Sequence, residues 1–175
     1  MDPSDSIEQA RQVGLHISDY IKFADAKAGL ILTFVAAVGA LVGVTAPAAL
    51  AASKDAHVLA AMILVGAHVA TAVSVAAVLW YTIAAIHPRG DYAHGSIVSF
   101  PDIARMKPSE YVDKITQASA AELLRNCALH NATLASIAVA KFASISRAMT
   151  WARVALFAAY VAALTFGIAS VVRAA

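Results

Sequence analysis

Three stretches of the chain carry no charged residue: Ala28–Ala52, Ala56–Ile86 and Val154–Val172. Each passes the roughly 18-residue length at which an apolar run reads as a membrane helix. The second run, at about 1.5 Å per residue, is longer than a bilayer core of about 30 Å, so it must tilt or protrude. Between the runs the pattern is amphipathic. Over residues 4–27, Ile17, Ile21, Ala24 and Ala28 share one face at helical spacing, and His16, Tyr20, Phe23 and Lys27 share a second. Asp19, Lys22 and Asp25 share a third. Ser4 or Asp5 can cap this helix, and Glu8 favours its first turn. No proline separates it from the first apolar run, so an unbroken continuation is expected.

After the second run, His87-Pro88 opens a loop rich in glycine and proline. Its Tyr92, Ile97, Val98, Phe100 and Ile103 are apolar anchors that mark a docked or functional loop. From Pro108 a helix starts, with proline at its first position and Glu110 in the first turn. Ile115, Leu123, Leu124, Cys127, Leu134, Ala138 and Ile145 then recur three to four residues apart. No breaker lies between Pro108 and Gly167. One long helix should therefore enter the membrane, or two should meet near Ser144–Met149. Its apolar stripe needs the N-terminal helix or another subunit as a partner.

The expected fold is all-α. Its division is 1–27 N-terminal helix, 28–52 first span, 53–56 hairpin and 57–86 second span. Then come 87–107 loop, 108–150 long helix, 151–172 third span and 173–175 tail.

Composition agrees with this reading. The chain has 175 residues, 61% hydrophobic and 14% charged, with mean hydropathy +0.72. Soluble domains run at about 45–50% and about 25%, and a chain this short cannot hide such an excess from water. The net charge of +2 is too mild to point to a nucleic-acid partner. The placement of the bases says more. Eleven of the thirteen Lys and Arg fall on one side of a three-span arrangement, with only Lys54 and Arg173 on the other. The positive-inside rule then puts the N-terminus and residues 87–153 in the cytoplasm and the C-terminus outside. Trp80, Tyr81 and Trp151 stand near the cytoplasmic span ends, where aromatic belts form. Nothing before Ala28 reads as a cleaved signal peptide. The single cysteine, Cys127, rules out an intrachain disulfide and a CxxC site.

Enzyme signatures are missing: no HExxH, GxSxG, GxxxxGK[ST] or GxGxxG occurs. No catalytic role, metal or cofactor is expected. His87 and His94 flank Asp91 in the loop, a set that could hold a metal, although solvated or capping histidines are the ordinary reading. His68 lies inside the second span, where a polar residue either carries function or bonds a neighbouring helix. The spans hold no Asp, Glu, Lys or Arg, which weighs against a secondary transporter. Gly39 and Gly43 form a GxxxG spacing that lets helices approach closely. Asp19, Lys22, Asp25 and Lys27 stand just before the first span. They suit either a snorkelling, ion-paired helix end or a ligand site.

The segment Tyr20-Ile-Lys-Phe-Ala-Asp-Ala-Lys-Ala-Gly29 resembles the "D-x-K-A" signature of the transmembrane Pycsar effector family. Phe100-Pro-Asp-Ile-Ala-Arg-Met-Lys-Pro-Ser-Glu-Tyr111 is similar to that family's second landmark. The likeness spans roughly residues 7–172. It implies a bacterial anti-phage effector of the inner membrane. Such effectors are activated by cyclic UMP or cyclic CMP, which a pyrimidine nucleotide cyclase makes after infection. The cyclase is a functional partner that need not touch the effector. Activation then impairs the membrane, killing or arresting the infected cell.

The resemblance puts Asp25 and Lys27 at signature positions, with Tyr20, Lys22, Phe100, Asp102 and Tyr111 flanking. Lys22, Lys27, Arg89, Lys141 or Arg147 can receive the single negative charge of a cyclic phosphate. Tyr20, Phe23 or Phe100 can stack on the pyrimidine. Asp25 or Asp102 can accept from a base amine or a ribose hydroxyl. An alternative for Asp25 is a structural bond to Arg147 or Lys141. No nucleotide-binding β-barrel is present, so the helices must hold the ligand, within one chain or across a homo-oligomer. The rival reading is a non-gated membrane anchor or signalling subunit.

Overall fold

The computed structural model describes residues 3–55, 57–87 and 96–174. Helix α1 runs Pro3–Asp55, α2 Val58–Ile86, α3 Phe100–Ile103, α4 Pro108–Gln117 and α5 Ala120–Ala174. No strand occurs among the described residues, and the fold is all-α. Three helices, α1, α2 and α5, are long and apolar enough to cross a membrane.

The N-terminal amphipathic pattern and the first apolar run belong to one helix. Pro47 lies inside it and, lacking an N–H, leaves the Gly43 carbonyl without its backbone donor. The expected long helix from Pro108 is interrupted earlier than the sequence suggested. Ala118 is extended, the chain turns, and α5 then runs unbroken through Ser144–Met149. The reason is local. The Glu122 N–H donates to Ser119 Oγ at 3.2 Å, so Ser119 caps α5 in a Ser-x-x-Glu arrangement.

The chain divides into two compact units, Met1–Asp25 with His87–Phe142, and Ala26–Ile86 with Ala143–Ala175. The second unit is packed inside out. The buried face of α2 is Leu64, Ala67, Thr71, Ser74, Val78, Thr82 and Ala85, mostly small residues three to four apart. Its large side chains, such as Met62, Val73, Ile83 and Trp80 (72% exposed), point outward. From α5, Ala148, Ala155, Ala158 and Ala162 are buried. Small residues let helix backbones approach, while large apolar ones suit lipid. The hydroxyls of Thr71 and Thr82 donate to the carbonyls of Ala67 and Val78, at 2.8 and 2.7 Å, which satisfies them within their own helix. Val35, Val78 and Ala148 form a local core under Phe34, Tyr81 and Trp151. A Cβ on Gly39 would meet Val75 Cγ1 at an ordinary 3.8 Å, and one on Gly43 would meet nothing within 4 Å. Close approach through this pair is not used within one chain.

The first unit has a thin apolar core. Its buried apolar side chains among the described residues are Ala24 and Ile97. Polar joints do the rest. Asn131 Nδ2 donates to the Ala10 carbonyl at 2.7 Å, tying α5 to α1. Gly14 is buried at this crossing, and a Cβ there would stand 2.6 Å from Asn131 Oδ1.

Candidate ligand site

Of the sequence-predicted residues, the structure joins Asp25 to Lys141. Asp25 sits on α1 after the buried Ala24, and Lys141 sits on the facing side of α5. Lys141 Nζ donates to Asp25 Oδ1 at 2.5 Å. Lys141 is 8% exposed, whereas the Asp25 side chain is about half exposed. The pair is therefore lopsided: a buried ammonium whose partner carboxylate reaches solvent. Burying an unpaired ammonium is costly, so this position requires an anion beside Lys141. Asp25 supplies one, and another anion arriving from solvent could take its place.

Tyr20 and Phe23 lie on the same helix within two turns of Asp25, and both are exposed. The His16 and Tyr20 rings meet edge to face at 5.6 Å. Lys22 is committed to Asp19, at 2.9 Å, on the exposed surface. That contact holds the Asp19 carboxyl below its ordinary range.

The other candidates have different surroundings. Asp102 is buried, and its Oδ2 accepts the Ser96 N–H at 3.0 Å. It thereby closes the turn that leads into α3. The Ile97 N–H reaches Asn126 Oδ1 on α5 at 3.4 Å. Phe100 is 80% exposed. Lys27 and Arg147 belong to the second unit. Lys27 is half-buried, and the Arg147 guanidinium stands 5.9 Å from the Tyr81 ring centroid in a cation–π contact. Arg89 lies outside the described residues, as do Asp91, Tyr92 and His94. Among the described residues no group of His, Cys, Asp and Glu could hold a metal.

Sequence reasoning did not single out Asn131, Asn126 or Ser119. Only Ser119 had a local signal, the glutamate three residues on. His130, next to Asn131, is pushed below its ordinary pKa by burial. It plays no part in the ion pair.

A chain built this way is a multi-pass membrane protein whose span-bearing helices α1 and α5 are also joined by the Asp25–Lys141 ion pair. The family model for the Pycsar effector protein domain matches residues 9–169, and the chain belongs to that family. Searches of curated proteins and of solved structures returned no match. Membership supports a role as an anti-phage defence effector.

Proposed function

We propose that this effector binds a cyclic pyrimidine mononucleotide, cyclic UMP or cyclic CMP, and responds by impairing the bacterial inner membrane. The observation that supports it most is the Asp25–Lys141 pair, because Asp25 is a signature residue and Lys141 a buried cation that needs an anion. The cyclic phosphate replaces the Asp25 carboxylate at Lys141 through charge-assisted hydrogen bonds. The displaced Asp25 accepts from a ribose hydroxyl or a base amine. Tyr20 or Phe23 stacks on the pyrimidine.

Both α1 and α5 continue into apolar runs, so exchanging the ion pair for a ligand changes the relation of helices that also span the membrane. Such a shift needs the ligand to bind the active arrangement better than the resting one. On this reading the chain is a receptor and not an enzyme. The basic-residue count supports a cytoplasmic N-terminus and 87–153 region, on the side where a nucleotide messenger is made, and on this reading a homo-oligomer is the working form.

Isothermal titration of detergent-solubilised protein with cyclic UMP and cyclic CMP tests the reading. One of the two should bind at micromolar concentration, and Lys141→Met should abolish the heat. Absence of heat with both nucleotides well above micromolar would leave the non-gated anchor as the better reading.

A further inference from the structure

The second unit holds Lys27, Arg147 and Arg153 at one end of its helices, and its only acidic residue, Asp55, belongs to the other end. Arg147 is engaged with the Tyr81 ring. Arg153 is exposed and enters no ion pair among the described residues.

Arg153 also stands deep. Val35, Val78 and Ala148 pack at one level of the unit. Further along, Leu41 and Thr45 of α1, His68 of α2 and Ala159 and Ala162 of α5 line one cleft. Helices α1 and α5 therefore run the same way, and α2 runs against them. Arg153 is then about 7 Å past the Ala148 level, towards the bilayer interior. Leu30 and Ile83 lie about 7 Å on the other side of that level, and both are exposed. An arginine thus stands about 15 Å deeper than exposed apolar side chains on its two neighbours.

A flat membrane surface cannot serve both. Set at Leu30 and Ile83, it leaves a guanidinium in hydrocarbon, which is costly. Set at Arg153, it leaves large apolar side chains in water. Helix α5 itself matches the deeper surface, because Val154–Val172 spans about 28 Å against a bilayer core of about 30 Å.

Inward of Arg153, the same face of α5 carries a groove. Tyr160 and Gly167 follow Arg153 at i+7 and i+14. An open apolar groove of about 480 Å³ is lined there by Tyr160, Leu164, Gly167 and Val171, among others. A Cβ on Gly167 would meet nothing within 4 Å, so the absent side chain leaves a notch in this face. From Arg153 to Gly167 is about 21 Å along the helix, enough for an acyl chain that crosses one leaflet of about 15 Å.

We propose that Arg153 and this groove bind one anionic phospholipid, with its phosphate on the guanidinium and an acyl chain lying from Tyr160 to Gly167. Helical side chains tilt towards the helix N-terminus, so the guanidinium reaches outward while the phosphate is drawn down to it. The planar fork holds the phosphate through paired charge-assisted hydrogen bonds. The leaflet dips beside α5 and stays thick beside Leu30 and Ile83, which resolves the mismatch. Basic residues without a carboxylate at that end of the unit select an anionic headgroup over a zwitterionic one.

The test is native mass spectrometry of the full chain in detergent, titrated with phosphatidylglycerol or phosphatidylcholine. Wild type should bind one phosphatidylglycerol at least tenfold more tightly than phosphatidylcholine. Arg153→Gln should erase that preference, and Arg153→Lys, which keeps the charge without the fork, should retain part of it. Gly167→Leu fills the notch and should weaken both lipids by a similar factor. Arg11→Gln removes the same charge from the first unit and should leave binding within twofold of wild type. An equal loss in Arg11→Gln would assign the lipid to net charge and overturn the proposal. So would wild-type preference in Arg153→Gln, or displacement of the lipid by millimolar inorganic phosphate, which marks a bare anion site. If Gly167→Leu splits a dimer while lipid binding persists, a second copy fills the groove and the proposal fails.

Discussion

The two units solve the same problem, holding helices together, with opposite residues. The second unit buries mainly alanine, threonine and serine, with Val35, Leu64 and Val78 among them, and turns many of its large side chains, Trp80 included, outward. The first buries few apolar groups and joins its helices through Lys141–Asp25, Asn131–Ala10 and Asn126–Ile97. Packing in the second unit is spread over many small contacts, none of which is indispensable. The first depends on a few polar joints, each of which matters. Large exposed residues mean different things in the two. On α2 they suit lipid. On the first unit, Val13, Leu15, Leu129 and Val139 face whatever surrounds a polar helical bundle. A region with a thin core and discrete polar joints opens locally at low cost, which suits the half where the proposed ligand exchange takes place.

The largest effect should fall on the ion pair, and it should be asymmetric. Asp25→Ala strands a buried ammonium and should destabilise the first unit by about 3 kcal/mol. Lys141→Met removes the buried charge and leaves a carboxylate that is already half in water, so it should cost under about 1 kcal/mol. Urea unfolding in detergent, followed by circular dichroism, measures both. Equal losses would show that Lys141 is not the buried partner.

In the second unit the sensitive change is one of volume. Ala148 is fully buried against Val35 and Val78. Ala148→Leu should cost about 2 kcal/mol by overpacking, read as a lower thermal midpoint in the same detergent. If it is neutral, this unit is looser than its small-residue face implies, and the contrast with the first unit weakens. Gly14→Ala tests the other side at a smaller scale. The new Cβ pushes the Asn131 amide, whose bond to Ala10 is worth about 1 kcal/mol. The loss should disappear in a Gly14→Ala, Asn131→Ala double variant compared with Asn131→Ala alone. A persistent loss would locate the constraint in the α1 backbone and not in the joint.

The three spans and the all-α class were legible in the sequence because charge-free runs are a local signal that one chain position after another repeats. The α5 start carries a local signal in Ser119 and Glu122, but it was missed, because the alanine-rich surroundings carry a helical pattern straight across it. The partner of Asp25 was narrowed to Lys141 or Arg147 and no further, since 116 positions separate the bonded residues and helix phase decides which base arrives. Asn131 was invisible. Nothing near it in sequence announces a bond to Ala10. Asp102 shows the converse. The family resemblance makes it a ligand candidate, yet its Oδ2 is already committed to a backbone N–H of its own turn.

The smallest effect should come from the ion pair at the N-terminal end of α1. Arg11 Nε lies 2.8 Å from Glu8, and the Arg11 guanidinium, helped by Gln12, holds the Glu8 carboxyl down to about 2. On sign, a carboxyl depressed in the folded state stabilises it above the ordinary glutamate value of 4.5. That contribution fades as pH falls from there towards 2. Both side chains are nonetheless at the surface, where solvent and salt screen the pair and side-chain ordering offsets its gain. Glu8→Gln should leave the unfolding midpoint at neutral pH unchanged within error, and no salt dependence should separate it from wild type. A clear loss would mean that an exposed pair does structural work here as Asp25 and Lys141 do. The distinction between polar contacts that are buried joints and those that merely decorate α1 would then fail.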